Sequence, residues 1–111
     1  MICWKRVNEL RDEVGAEDFF VVAEIFLEEV EEVMDRLRAN PDPSTYETEL
    51  HFLKGSALNL GFSALADQSG LDEKQARGPE RDNIDLAKVI HIYEKSKIEF
   101  NGGHSKKECA A

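Results

Sequence analysis

Phe19, Val22, Phe26, Val30, Val33 and Leu37 recur at every third or fourth position, and the pattern then stops at Asn40-Pro41-Asp42-Pro43-Ser44. A stripe of that period buries one side of an α-helix against a core. The two prolines end it, because neither can continue a helix. Phe20, Ala23, Leu27 and Met34 widen the stripe, while Glu24, Glu28, Glu31, Glu32 and Asp35 lie opposite. The span from about Glu17 to Ala39 is therefore expected as a long amphipathic helix with a solvated acidic face. A helix with so broad an apolar side needs other helices or a sheet to cover it, and no segment alternates with the period of a strand.

The remaining segments read as helices. Trp4, Val7, Leu10 and Val14 predict a short first helix ending at Gly15. Ser44 is the expected N-cap of a third helix over about Thr45 to Leu60, stopped by Gly61. A fourth begins near Ser63 with Ala64, Leu65, Ser69 and Leu71 inward, although Gly70 weakens it and Asp72 interrupts its apolar rhythm. Gly78-Pro79 marks a loop. A last helix spans roughly Asn83 to Phe100, with Leu86, Val89, Ile90 and Tyr93 on its buried side and His91 structural or exposed. The expected fold is all-α: an antiparallel up-and-down four-helix bundle with a short additional N-terminal helix. The bundle would occupy residues 1–101, and residues 102–111, including His104, would form a flexible C-terminal tail.

Composition narrows the function classes. A formal net charge of −9 argues against nucleic acid and against an anionic membrane surface as partners. No apolar run approaches the roughly 20 residues of a membrane span, and the N-terminal MICWKRVNEL lacks a signal-peptide core. Cys3 and Cys109 belong to no C-x-x-C pattern and are expected as free thiols in a reducing compartment. The histidines show no metal-ligand spacing with them, so no metal is expected in this chain. A cytoplasmic monomer is the expectation.

The stretch His51-Phe52-Leu53-Lys54-Gly55-Ser56-Ala57-Leu58-Asn59-Leu60-Gly61-Phe62 carries the candidate chemistry. Advancing 100° per residue puts Tyr46, Leu50, Leu53, Ala57 and Leu60 on the core face. His51, Gly55, Leu58 and Phe62 fall on a separate outward stripe bordered by Lys54. Gly55 sits in a helix interior at a cost of about 1 kcal/mol relative to alanine. Its missing side chain clears the approach to His51, one turn away. Neutral imidazole is a competent nucleophile, and a neighbouring ammonium suits a negatively charged product. A solvent-facing histidine followed by a lysine is also common, so these residues alone admit an accidental reading. No phosphate-cradling loop accompanies them, so binding and splitting ATP is not expected.

These residues resemble the histidine-containing phosphotransfer (HPt) domains of multistep two-component phosphorelays. The family's H-x-x-K-G-[SA] motif, with an apolar residue and a glycine near its end, is met by His51, Lys54, Gly55, Ser56, Leu60 and Gly61. The resemblance extends upstream to FLEEVEEVMDRL and downstream to LADQ, and covers roughly residues 5–100. It implies that His51 is the phosphoacceptor through the ring nitrogen distal to the backbone. Lys54 would stabilise the phosphoryl group and Gly55 would give steric access. Glu73 would orient the imidazole, with Gln68 as the alternative, and Leu58 and Phe62 would contact the partner. The implied partners are response-regulator receiver domains or a hybrid histidine kinase. Mg²⁺ would come with the receiver, and this chain would be a phosphocarrier without autonomous kinase activity. The alternative is a non-catalytic binding module that sequesters or scaffolds a signalling kinase or regulator.

Overall fold

The computed structural model describes residues 1–110, with side chains to residue 102. Five helices follow one another: α1 Trp4–Val14, α2 Ala16–Ala39, α3 Tyr46–Leu60, α4 Ser63–Ala76 and α5 Leu86–Ala110. No strand occurs among the described residues, and none of the helices searched is long and apolar enough to cross a membrane. Helices α2 to α5 form the bundle, and α1 closes one end.

Local chemistry sets the helix ends. Helix α2 carries Glu17 and Asp18 in its first turn and Arg36 and Arg38 in its last, matching the helix dipole at both ends. The expected cap at Ser44 is replaced by Asp42. Its carboxylate accepts from the Ser44 backbone N–H and opens a 3₁₀ turn, Pro43–Thr45, that leads into α3. Asp42 wins because Pro43 takes the first position of that turn, which needs no N–H donor.

Gly61 ends α3 in the left-handed region at φ 84°. A Cβ there would sit 2.8 Å from the Cys3 carbonyl oxygen and 3.0 Å from Val7, so glycine serves both the turn and the seat of α1. Across this corner the Cys3 N–H donates to the Gly61 carbonyl at 2.7 Å and the Ala64 N–H to that of Met1 at 3.2 Å.

The core fills as the α3 stripe requires: Tyr46, Leu50, Leu53, Ala57 and Leu60 are all buried. Each fully buried leucine contributes roughly 1.5–3 kcal/mol. Under α1, Phe100 stacks on Trp4 at 6.1 Å between ring centroids and packs on Phe62 at 5.4 Å and Phe19 at 6.5 Å. Burial first, and then the adjacent Glu31 carboxylate, push the Tyr93 phenol of α5 well above its usual value, so it stays protonated. Arg36 on α2 holds Glu49 on α3 at 2.7 Å, and Arg38 reaches Glu94 on α5 at 3.1 Å.

Several expectations are corrected. Phe20 points outward on α2 and Leu71 outward on α4, while Asp72 and Glu73 turn in. Helix α4 runs unbroken through Gly70 and Asp72. Helix α5 starts at Leu86 after a 3₁₀ turn, Arg81–Asn83, and its backbone continues past Phe100 to Ala110. The side chains of His104 and Cys109 lie outside the described residues. Cys3 is a free, exposed thiol.

Candidate functional site

The second turn of α3 carries His51 on the side away from the core, with its side chain 75% exposed. Opposite it, α4 contributes Glu73, whose side chain is only 5% exposed. The ring Nδ1 lies 3.0 Å from Glu73 Oε2. A carboxylate accepts and does not donate, so this contact assigns the neutral ring its proton on Nδ1 and leaves the Nε2 lone pair facing solvent. The candidate carboxylate and the candidate imidazole therefore meet. Gln68 does not join them: its Nε2 donates to Asp72 Oδ1 at 3.0 Å.

Gly55, one turn beyond His51, is exposed, and a Cβ built on it would meet nothing within 4 Å. The fold therefore does not require glycine here. What the glycine does is lower the surface beside the ring.

Lys54 is half-buried. Its stem lies across Gly70 of α4, where an added Cβ would stand 3.6 Å from Cδ and 4.0 Å from Nζ. The ammonium thus rests in a shallow groove shared with Asp67 and Lys74, on the α4 side of His51. Four rotatable carbons let it reach from there.

Leu58 is 55% exposed, farther along the same stripe. Phe62 is not on it. At 1% exposure it is a core residue under α1, which corrects its expected place on the outward face. The left-handed turn at Gly61 swings the chain before Phe62, so the α3 periodicity does not extend to it. Phe20, Val21 and Ile25 of α2 are exposed, Phe20 against its expected place in the buried stripe. The Arg36–Glu49 pair marks the antiparallel register in which α2 and α3 pack. At about 1.5 Å per residue, Ile25 and Leu58 then come to similar heights along the two helices.

Arg77, just past the end of α4, was also missed. Its Nη2 donates to Glu73 Oε2 at 2.6 Å and its Nε to Glu47 Oε2 at 2.9 Å. The hydrogen bond to Glu47 first, and then the charge of Glu73, hold the guanidinium protonated more firmly than usual. The acidic residues around it were the only available signal. His91 is exposed in a groove between α2 and α5 with Glu31, Arg38 and Glu94, away from this site. Among the described residues, no three His, Cys, Asp or Glu side chains come together as a metal-ligand set.

Fold and site together define a small helical bundle that presents one histidine, backed by a buried carboxylate, on an open helical face. Residues 21–95 match the family model described as Hpt domain, and the chain belongs to that family. Histidine phosphotransfer in phosphorelays is the family's activity, with response regulators and kinases as its partners. No curated protein and no solved structure matches the chain.

Proposed function

We propose that this chain relays a phosphoryl group reversibly between aspartates of response-regulator receiver domains through phospho-His51. The observation that carries the reading is the 3.0 Å contact between the buried Glu73 carboxylate and Nδ1 of an exposed ring. The Nε2 lone pair attacks the phosphorus of a receiver aspartyl phosphate. An N–P bond forms, the aspartyl O–P bond breaks, and its electron pair returns to the aspartate carboxylate. The Nδ1 proton stays with the ring, and Glu73 balances the positive charge that develops there. Lys54 neutralises phosphoryl oxygens, and the open surface at Gly55 admits the partner. The reverse sequence delivers the group to a second receiver.

Mg²⁺ belongs to the receiver in this scheme, and the carrier needs no cofactor of its own. Leu58, with Ile25 of α2 at a similar height, forms an apolar contact surface along the bundle face to one side of the histidine. His51 serves donor and acceptor in turn, and in this reading the carrier is a cytoplasmic monomer without kinase activity of its own.

The test is transfer of ³²P from a panel of purified phosphorylated receiver domains. Label is expected on the wild-type chain and at background on His51→Ala. Transfer from no receiver, or equal labelling of His51→Ala, would sink the reading. The exposed apolar residues of α2 and α3 also fit a non-catalytic module that sequesters a kinase or regulator. Under that alternative, His51→Gln retains partner binding and full biological effect, and only changes at Leu58, Val21 or Ile25 abolish them.

A further inference from the structure

Behind His51, four charged or polar side chains close into a frame. Glu47 and His51 stand one turn apart on α3, and Glu73 and Arg77 one turn apart at the end of α4. Glu73 Oε2 accepts from both His51 Nδ1 at 3.0 Å and Arg77 Nη2 at 2.6 Å, while Arg77 Nε donates to Glu47 Oε2 at 2.9 Å. One carboxylate oxygen is thus shared between a neutral ring and a permanent cation.

That sharing answers a chemical difficulty. A buried carboxylate whose only partner is an imidazole has two ways to lower its energy. It can take up a proton and lose its grip on the ring tautomer. It can instead draw a second proton onto the exposed ring, which removes the Nε2 lone pair. A guanidinium on the same oxygen opposes both outcomes: it keeps the carboxylate ionised, and it disfavours a second positive charge on the imidazole.

Resting on the phosphocarrier reading above, we propose that Arg77 is a positioning residue for His51. It holds the Glu73 carboxylate aimed at Nδ1 and opposes a second proton on the ring, so that Nε2 keeps its lone pair. The planar fork of arginine is suited to this, since it engages Glu73 and Glu47 through separate nitrogens.

Other charges surround the ring. On α3 these are Glu47, Glu49 and Lys54. On α4 they are Asp67 and Lys74, which line the groove where Lys54 lies. On α2, Glu29, Glu32 and Arg36 line a groove beside Phe52, and Arg36 is already bound to Glu49. On α1, Arg6 is engaged with Glu13 and the Asn59 carbonyl. Of all these side chains and the pair Glu73 and Arg77, only Glu73 bonds to the ring. The frame is therefore the direct route by which the protein sets the state of His51. Removing Arg77 takes a partner from a buried carboxylate and costs stability, although Glu73 keeps its contact with His51.

The experiment is an NMR titration of ¹⁵N-histidine-labelled wild type, Arg77→Gln, Arg77→Lys and Glu47→Gln, with phosphotransfer followed against pH. In Arg77→Gln the midpoint of the His51 ring titration is expected to move up. The Nδ1–H signature of the neutral ring should weaken. The acid limb of the pH–rate profile should move up with the midpoint, and kcat near pH 7 should fall several-fold while KM for the receiver holds. Arg77→Lys should restore the midpoint more than the tautomer signature, and Glu47→Gln should give a smaller change in the same direction.

Those two variants carry the test if Arg77→Gln does not fold. An unchanged His51 midpoint and tautomer in folded variants, or a rate loss residing wholly in KM, overturns the proposal. The titration needs no receiver. If it shifts as expected and no receiver labels His51, the phosphocarrier reading fails while the positioning stands. If transfer proceeds and the titration does not move, the positioning alone fails.

Discussion

Asp72 and Glu73 are adjacent on α4 and almost equally buried, yet the fold treats them in opposite ways. Glu73 turns toward α3, where both an imidazole and a guanidinium meet the same oxygen. Asp72 turns toward α5. One of its oxygens accepts from Gln68 at 3.0 Å, and the other, Oδ2, is buried without a hydrogen-bond partner among the described residues. Burial first pushes the Asp72 carboxyl above the ordinary aspartate range, partly offset by the Gln68 hydrogen bond and the charge of Lys88. Burial alone thus does not make a carboxylate useful. Glu73 becomes part of a site because its partners are a cation that keeps it charged and a ring that solvent can reach.

Substitutions sharpen this contrast, the largest effects falling on the α3 side. Glu73→Ala should lower the phosphotransfer rate roughly 10–100-fold, by analogy with the loss of a carboxylate that orients a metal-bound histidine. Exposed Arg77 would keep Glu47, so thermal unfolding should change little; a collapse of Tm together with the rate would assign Glu73 to structure instead. Glu73→Gln retains an acceptor for Nδ1 without the charge. Its rate should fall less than that of Glu73→Ala, and equal losses would show that charge, not orientation, is what the carboxylate supplies.

Asp72→Asn should behave in the opposite way, raising stability by about 1 kcal/mol at pH 7 and leaving transfer unchanged. The sign follows from linkage. A carboxyl raised in the fold binds a proton that the unfolded chain has already released, so its contribution to stability is lost as pH rises through the folded value. The advantage of the asparagine variant should therefore shrink as pH falls toward the ordinary aspartate range. A chemical-denaturation series across pH checks it, and a pH-independent difference would break the contrast with Glu73. Of the substitutions that slow transfer, the smallest effect is expected at Gly55. Alanine meets no neighbour there, so Gly55→Ala should stabilise the helix by about 0.5–1 kcal/mol. Transfer should decline at the same time, and a variant that gains both stability and rate would remove the access argument.

The residues that depart from the periodic reading do so for separate physical reasons. Helical periodicity was followed through Gly61 to Phe62, although a left-handed residue resets the direction in which the next side chain leaves the chain. On α4 the apolar rule favoured Leu71 over Asp72. The fold instead buries Ser69, Asp72 and Glu73 and leaves Leu71 in solvent, because that helix packs its small and polar face inward. Arg77 is legible only in part. It lies beyond the helix end, before Gly78-Pro79, and its partners come from two separate helices. Glu73, one turn earlier, has the i,i+4 spacing of a helix ion pair, whereas only the fold brings Glu47 to it.

The sequence by itself determined the helices, the stop at Gly61, the core stripe of α3 and the outward aspect of His51 and Gly55. Each of these is a short-range property, governed by backbone geometry and by period against a single buried side. Only the tertiary structure decided that Glu73, and not Gln68, meets Nδ1, that Phe62 is core, and that Arg77 stands behind the pair. Those outcomes depend on how α3 and α4 are rotated and registered against each other. A difference of one residue in that register changes which carboxylate faces the ring.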